Sequence, residues 1–279
     1  MPMPAMYVDS CLCPMVRKTK LVGSQAKTLD GISHEDAVCA IYSVLVTTPP
    51  AVLSAVVNNR LVEAYATDPE TRPLLQEMLA ITTDERSPQP AIYANYLVDG
   101  HGRSPSPQQL LEALDSADRY MTGSTPEDRK LAFGIDSFHK PVPARNTDKN
   151  LYAKRKYLSN KEGITSARQE NFRTFSSALR KRLSVVRAED VDKPLRCPLV
   201  EIGYTHKSAK RLQEHRAHRS SNYIMSLVEA ILGVLFPGVF ELKQFVIFLC
   251  ESSEQASVSA HATPIKDLAN SVVRFRLPR

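Results

Sequence analysis

The chain has 279 residues, of which 43% are apolar and 24% are charged, values that are typical of a globular protein. The apolar stretches 223–236 and 245–250 are too short to span a bilayer, and the N-terminus lacks the apolar core of a signal peptide. The five cysteines are odd in number, scattered and without a CxxC pair. We therefore expect an intracellular protein, nuclear or cytoplasmic, that is neither secreted nor inserted in a membrane.

The net charge of +6 hides an uneven distribution. Residues 1–138 carry 11 Lys/Arg and 17 Asp/Glu, whereas residues 139–279 carry 25 Lys/Arg and 13 Asp/Glu. An excess of positive charge in one half of a chain indicates a polyanionic partner, with DNA or RNA as the first candidate. The alternative is that the acidic half docks on the basic half and neutralises it.

Caps and prolines predict a series of helices in the first half of the chain. Residues 1–30 show no periodicity and are expected to be a flexible arm. Residues 31–138 are interpreted as an acidic α-helical domain, in which Ser106 and Thr125 are the clearest N-caps because each precedes a proline at the first helical position. The expected helices cover residues 33–46, 51–65, 68–81, 106–122 and 125 onward.

The second half has a different pattern. Residues 139–164 combine Pro, Lys and Arg with weak periodicity and are interpreted as a basic linker. Residues 165–255 are expected to form a small α+β domain, and residues 256–279 a weakly structured basic tail. The predicted fold class is thus α+β and mostly helical. The expected elements of the second domain are helices over 165–183, 208–218 (capped by Ser208) and 223–236 (capped by Asn222), and strands over 199–205 and 240–250.

Candidate catalytic residues lie in the strand, turn and helix of residues 201–215. Arg211 and His215 are four residues apart and share one face of the helix, and Tyr204 ends the strand before it. A phenol can position a nucleophile, a guanidinium can stabilise charge on phosphorus, and an imidazole can transfer a proton. Tyr204, Arg211 and His215 therefore predict a phosphodiester site.

This run resembles the second half of a GIY-YIG endonuclease domain, in which a YxG strand turns into a helix that carries an arginine. Ile202-Gly203 matches the end of the second motif, Arg211 the helix arginine and His215 the histidine that often follows. Two departures are that Glu201 occupies the place of the motif tyrosine and that Tyr204 lies beyond the glycine. The same run resembles proteins of filamentous fungi.

The resemblance implies a nuclease-like fold, which we expect to be divergent and inactive. No GIY motif precedes the run, although residues 183–187 could supply the first strand. The metal-binding glutamate of such domains has no clean match among Glu229, Glu251 and Glu254. A divalent metal such as Mg²⁺ is implied only if nuclease activity is retained.

The function that we expect from the sequence is nucleic-acid binding through the basic second half. Lys207, Lys210, Arg216 and Arg219 are the candidate phosphate contacts, and the clusters 154–156 and 180–182 are further candidates. The alternative is a protein-interaction or scaffold module in which the acidic helices bind a partner.

A zinc site is a further hypothesis from the sequence. Its candidate ligands are Cys197, His206, His215 and His218, all of them residue types that bind zinc. Their spacing fits no established zinc motif, so surface histidines among arginines are the alternative interpretation.

Overall fold

The structure, a computed structural model, describes residues 47–83, 89–139, 154–160, 163–205, 207–218 and 222–249. The protein is α+β and mostly helical, which confirms the predicted fold class. The helices within these residues are α1 (Pro50–Val57), α2 (Leu61–Thr67), α3 (Thr71–Thr83), α4 (Pro107–Thr122), α5 (Pro126–Ser137), α6 (Ser166–Leu183), α7 (Ser208–Arg216) and α8 (Tyr223–Leu235). The strands are β1 (Ala91–Asp99), β2 (Ser159–Asn160), β3 (Gly163–Ile164), β4 (Val200–Thr205) and β5 (Phe240–Leu249).

The main sheet joins the two halves of the chain. Its order is β4-β1-β5, and β1 pairs antiparallel with both neighbours. The expectation of an all-α first half is wrong, because β1 lies within it and is the central strand of the sheet. All nine residues of β1 are buried, so its sequence lacks the alternation that marks a strand with one exposed face.

Helices cover both faces of this sheet. On one face, Ala94, Tyr96 and Val98 of β1 pack with apolar side chains of α1, α2 and α3. On the other face, Leu97 belongs to a larger core built with α4, α5, α6 and α8. Side chains of a strand alternate between faces, so β1 supplies both cores.

The region interpreted as a basic linker belongs in part to the core. Tyr157 is 6% exposed and Leu158 is fully buried, and both pack in the larger core with residues from each half of the chain. Residues 154–160 therefore do not separate two domains, and the expected boundary is wrong at this point. The predicted arm (1–30), the predicted tail (256–279) and residues 140–153 lie outside the described residues.

Local capping explains where several helices begin. Ser106 and Thr125 each form a capping box, and Asn222 accepts a hydrogen bond from the second backbone N–H of α8, as predicted. Ser208 is not an N-cap, since its hydroxyl is buried and donates to the backbone oxygen of Thr82. In the part of the chain that the structure describes, no helix has the length and apolar character needed to cross a membrane.

Candidate functional site

Helix α7 packs against the sheet beside β1. Leu212 is fully buried in a cluster with Tyr93 and Val246, and the Ser208 hydroxyl ties the start of the helix to Thr82 at the end of α3. These contacts fix which side of α7 faces the protein. The opposite side, which carries lysines and arginines, faces solvent.

A buried tyrosine–histidine pair lies beneath α7. The hydroxyl of Tyr93 and Nε2 of His215 are 2.8 Å apart, and the two rings meet edge to face at 5.0 Å. Nε of Arg211 donates to the same hydroxyl at 3.4 Å. Since Tyr93 is 1% exposed and His215 is 5% exposed, the pair holds α7 on the sheet and does not face solvent.

A chain of hydrogen bonds sets the proton position on His215. Nε of Arg216 donates to Gln244 Oε1 at 3.1 Å, and Gln244 Nε2 donates to Asn95 Oδ1 at 3.2 Å. Because a guanidinium can only donate, Arg216 fixes the orientation of the Gln244 amide, and Gln244 in turn fixes that of the Asn95 amide. Asn95 Nδ2 therefore faces His215 Nδ1 at 3.4 Å as a donor. His215 then carries its proton on Nε2, directed at Tyr93.

His215 is neutral at physiological pH. Burial, and after it the charge of Arg211, lowers the pKa of this imidazole to about 4. Burial also raises the pKa of Tyr93, although the hydrogen bond from Arg211 opposes that shift. Neither group is therefore poised to exchange a proton near pH 7.

Gly203 makes room for this pair. It lies opposite Tyr93 in the β1–β4 register, and a Cβ at this position would overlap Cζ and the hydroxyl oxygen of the tyrosine. The glycine thus lets the Tyr93 ring lie across β4 and reach His215. A glycine is needed here because the Tyr93 ring lies close to the backbone of β4, and not because of an unusual backbone angle, since the φ of Gly203 is not positive.

The predicted catalytic set is not assembled. Tyr204 packs with Ile92 and Phe248 on the sheet face opposite to α7, because neighbouring residues of a strand point to opposite faces. Arg211 and His215 do lie together, as predicted, but Tyr204 does not join them. The prediction of one site from these three residues is wrong.

The tyrosine that meets the histidine comes from a distant part of the sequence. Tyr93 lies 122 positions before His215, so no local sequence motif predicts the contact. The strand proposed at residues 183–187 is also absent: Leu183 ends α6, turns follow it, and β4 pairs with β1.

The predicted phosphate contacts on α7 are exposed. Lys207, Lys210 and Arg216 face solvent, and Arg211 is partly exposed at the edge of the helix. Within the described residues, none of these four cations forms an ion pair. Together these four residues span the solvent-facing surface of α7 from one edge of its buried side to the other, and we call this surface the α7 cationic face. Arg219, the remaining candidate, lies outside the described residues.

One arginine in each of the other two basic clusters is engaged by contacts within the protein. Arg155 is 6% exposed, and its guanidinium donates to the backbone oxygen of Gly123 at 2.9 Å. Arg180 contacts the carboxylates of Asp115 and Asp118 at 2.7 and 2.9 Å. Two acidic residues of the first half of the chain thus neutralise Arg180 of the second half. This contact is of the kind expected if the acidic half docks on the basic half, which is the alternative to polyanion binding.

A second group of polar side chains lies close by, where three elements meet. His139 follows α5, His218 follows α7, and Glu229 lies in the middle of α8. Their nearest ligating atoms, Nε2, Nδ1 and Oε2, all lie within 4.8 Å of one another. Oε2 of Glu229 is 3.4 Å from His139 Nε2 and 3.5 Å from His218 Nδ1. The two imidazoles stack with centroids 3.5 Å apart.

Other contacts hold these three side chains in place. Glu229 Oε1 accepts from the backbone N–H of Leu242 at 3.2 Å, which leaves Oε2 directed at the histidines. His139 makes a hydrogen bond to the backbone of Ser226 that raises its pKa, as a bond from the ring to a carbonyl does. His218 adopts a left-handed backbone conformation (φ 51°) just after α7, an uncommon one for a residue with a side chain.

Both histidines of the cluster are neutral at physiological pH. Burial, then the charges of His218 and Lys156, lower the pKa of His139 to about 4. Burial and then Lys156 also lower the pKa of His218. Burial raises the pKa of Glu229 to about 7. The short His–Glu contacts are therefore not ion pairs, despite their distances.

The sequence-based zinc hypothesis named mostly other residues. Of its four candidates, His218 belongs to the cluster, His215 is bonded to Tyr93, and Cys197 lies 3.6 Å from Asn59 Nδ2. His206 lies outside the described residues. The sequence did contain one indication of the cluster. Glu229 lies in the middle of an apolar helix, and a carboxylate in such a position is buried only when it has a partner.

A pocket of roughly 270 Å³ connects the two groups. His215 and Arg216 line it from α7, and His218 and Glu229 line it from the cluster. Its remaining lining residues are Asn95, Glu241, Leu242 and Gln244. Most of the residues that line this pocket are polar, and it lies beside the end of the α7 cationic face.

No family model matches this chain, and neither a curated protein nor a solved structure is significantly similar to it.

Proposed function

We propose that this protein binds nucleic acid through the phosphate backbone, using the α7 cationic face. The observation that supports the proposal is the different use of the basic residues. Arg155 and Arg180 are engaged within the protein, whereas Lys207, Lys210 and Arg216 are exposed and form no ion pair with a described residue. Exposed cations without an ion-pair partner are available to a polyanion, which releases counterions when it binds them.

Three of the four cations lie close together on α7. Lys207, Lys210 and Arg211 lie within about 6 Å along the helix and are neighbours on its surface, whereas Arg216 lies on the far side, because nine steps of about 100° add half a turn. Glu214 is the acidic residue of α7 and reduces its charge. Lysine and arginine contacts of this kind carry little sequence information, so the proposed binding has little sequence preference.

The proposed activity is binding without cleavage at α7. Tyr93 and His215 are buried, and their hydrogen bonds are made to each other and to neighbouring side chains. A nuclease needs a nucleophile, a general base or both in contact with the substrate. The GIY-YIG resemblance accordingly supports a nucleic-acid ligand in this proposal and not a hydrolytic step.

Fluorescence anisotropy with labelled single-stranded and duplex oligonucleotides tests the proposal. Binding should weaken steeply between about 50 and 200 mM salt. The double variant Lys207→Ala/Lys210→Ala should bind more weakly and lose about 2 from the slope of log K against log salt, about 1 for each phosphate contact removed.

A matched control separates the site from the overall charge. Lys130→Ala/Lys181→Ala removes the same charge from exposed positions on α5 and α6. This control should retain nearly all affinity. Equal losses in the two double variants, or no binding at the lower salt concentration, would contradict the proposal.

A further inference from the structure

Three ligating atoms of the His139–His218–Glu229 cluster are buried without a hydrogen-bond partner. His139 Nε2, His218 Nδ1 and Glu229 Oε2 have no such partner among the described residues. The side chains of His139 and Glu229 are only 5% and 8% exposed. Each unsatisfied buried polar group costs about 1–3 kcal/mol, so three at one point need a physical explanation.

Hydrogen bonding within the cluster, as it is arranged, does not supply that explanation. His139 is bonded to the backbone of Ser226, and since its Nε2 has no partner, this bond is made through Nδ1. Nε2 of the neutral ring is then an acceptor. Glu229 Oε2 lies 3.4 Å from it and 3.5 Å from His218 Nδ1, yet none of the three atoms makes a hydrogen bond with another. A cation, in contrast, can accept all three lone pairs together.

The distances fit a small metal ion. Zinc binds histidine nitrogen and carboxylate oxygen at about 2.0–2.2 Å, which places two ligands of a tetrahedral site about 3.4 Å apart. The observed separations from Glu229 Oε2 are 3.4 and 3.5 Å. The two ring nitrogens lie within 4.8 Å of each other, and binding of one ion requires the two rings, now stacked 16° from parallel, to rotate apart until both lone pairs point at it.

We propose that His139, His218 and Glu229 bind one divalent transition-metal ion of the zinc type, with a fourth coordination position open to the neighbouring pocket. Two imidazoles and one carboxylate form a ligand set that favours such ions over Mg²⁺ or Ca²⁺, which prefer oxygen ligands. Three protein ligands leave one position of a tetrahedral ion for water or another small ligand. His218 and Glu229 line the pocket, so that position faces it.

The surroundings hold the metal ligands in place. The bonds to Ser226 and Leu242 resemble the outer contacts that orient metal ligands in proteins. Lys156 is close enough to affect both histidines, and its charge opposes a bound cation. Contacts with Asp136 hold Lys156 in this position, since Lys156 Nζ donates to the backbone oxygen of Asp136 at 3.2 Å and the Lys156 backbone N–H donates to Asp136 Oδ1 at 3.0 Å.

This proposal is independent of nucleic-acid binding, and calorimetry on the full chain tests it. After treatment with a chelator, the wild-type protein should bind one Zn²⁺ per chain, whereas Mg²⁺ should give no comparable heat. Glu229→Gln should weaken Zn²⁺ binding by more than about 100-fold, beyond the effect expected for loss of an outer contact. His139→Gln and His218→Gln should have similar effects.

Glu241→Gln is the matched control, because Glu241 is an exposed carboxylate that lines the same pocket outside the cluster. It should bind Zn²⁺ as the wild type does. Glu229→Gln should remain folded, since glutamine can still accept the hydrogen bond from Leu242 and can donate to the histidines; circular dichroism checks this.

The visible spectrum of bound Co²⁺ gives a second readout. Strong absorption, typical of four-coordinate cobalt, should appear in the wild type and the Glu241→Gln control and be lost in Glu229→Gln. Failure of the wild type to bind Zn²⁺ stoichiometrically, or equal binding by folded Glu229→Gln, would overturn the proposal. An octahedral cobalt spectrum would overturn the proposed three-ligand tetrahedral site.

Discussion

Replacement of Gly203 by alanine should destabilise the protein, although alanine is normally the better residue in a strand. An ordinary Gly→Ala change in a strand interior gains about 0.5–1 kcal/mol. Here the added methyl group would overlap the Tyr93 ring. Overpacking of a core costs about 1–3 kcal/mol, and displacement of the ring would also weaken the buried bond to His215, worth about 1 kcal/mol. We expect a net loss of roughly 1–3 kcal/mol.

Urea unfolding followed by circular dichroism measures this change. Gly134→Ala is the control, because the nearest side-chain atoms to its added Cβ, on Val234, are 3.9 Å away, and it should stabilise α5 by up to about 1 kcal/mol. In a Tyr93→Ala background the Gly203→Ala change should cost nothing, since the ring is gone. If Gly203→Ala alone is as stable as the wild type, the Tyr93 ring does not occupy the space over β4.

Two further predictions follow from buried groups. His215 should titrate by NMR with a midpoint near pH 4. Because its pKa is lower in the folded state than in the unfolded state, its contribution to stability should be present above about pH 6.5 and be lost as the pH falls towards 4. A midpoint near 6.5 would show that it is not buried as described. Arg155→Ala should cost about 2 kcal/mol in urea unfolding, because Arg155 is buried and bonded to a backbone oxygen, whereas Lys154→Ala at the neighbouring exposed position should change stability by less than about 0.5 kcal/mol. Equal effects of these two substitutions would indicate that the segment is a solvated linker after all.

Elements with local signals were predictable from the sequence. Ser106 and Thr125, each followed by proline, mark the starts of α4 and α5, and the apolar helix α8 begins after Asn222 as expected. Strands β4 and β5 were also predicted within one residue of their observed ends. In each case the information lies within a few residues of the element, either in a cap or in a hydrophobic pattern.

Features that depend on distant contacts were not predictable. β1 is buried on both faces, so it shows no alternation, and its two partner strands lie more than 100 residues away in the sequence. The placement of Tyr93 beside His215 follows from that pairing alone. The same reason explains the cluster: His139, His218 and Glu229 come together through the packing of α5, α7 and α8, and no spacing motif connects them.

Lysine footprinting tests the α7 cationic face most directly. The protein is acetylated with a lysine-reactive reagent with and without an oligonucleotide at low salt, and mass spectrometry measures the modification of each lysine. We expect protection of Lys207 and Lys210, with Lys130 and Lys181 unchanged. Protection of Lys130 or Lys181 while Lys207 and Lys210 stay reactive would place the nucleic acid elsewhere and contradict the account.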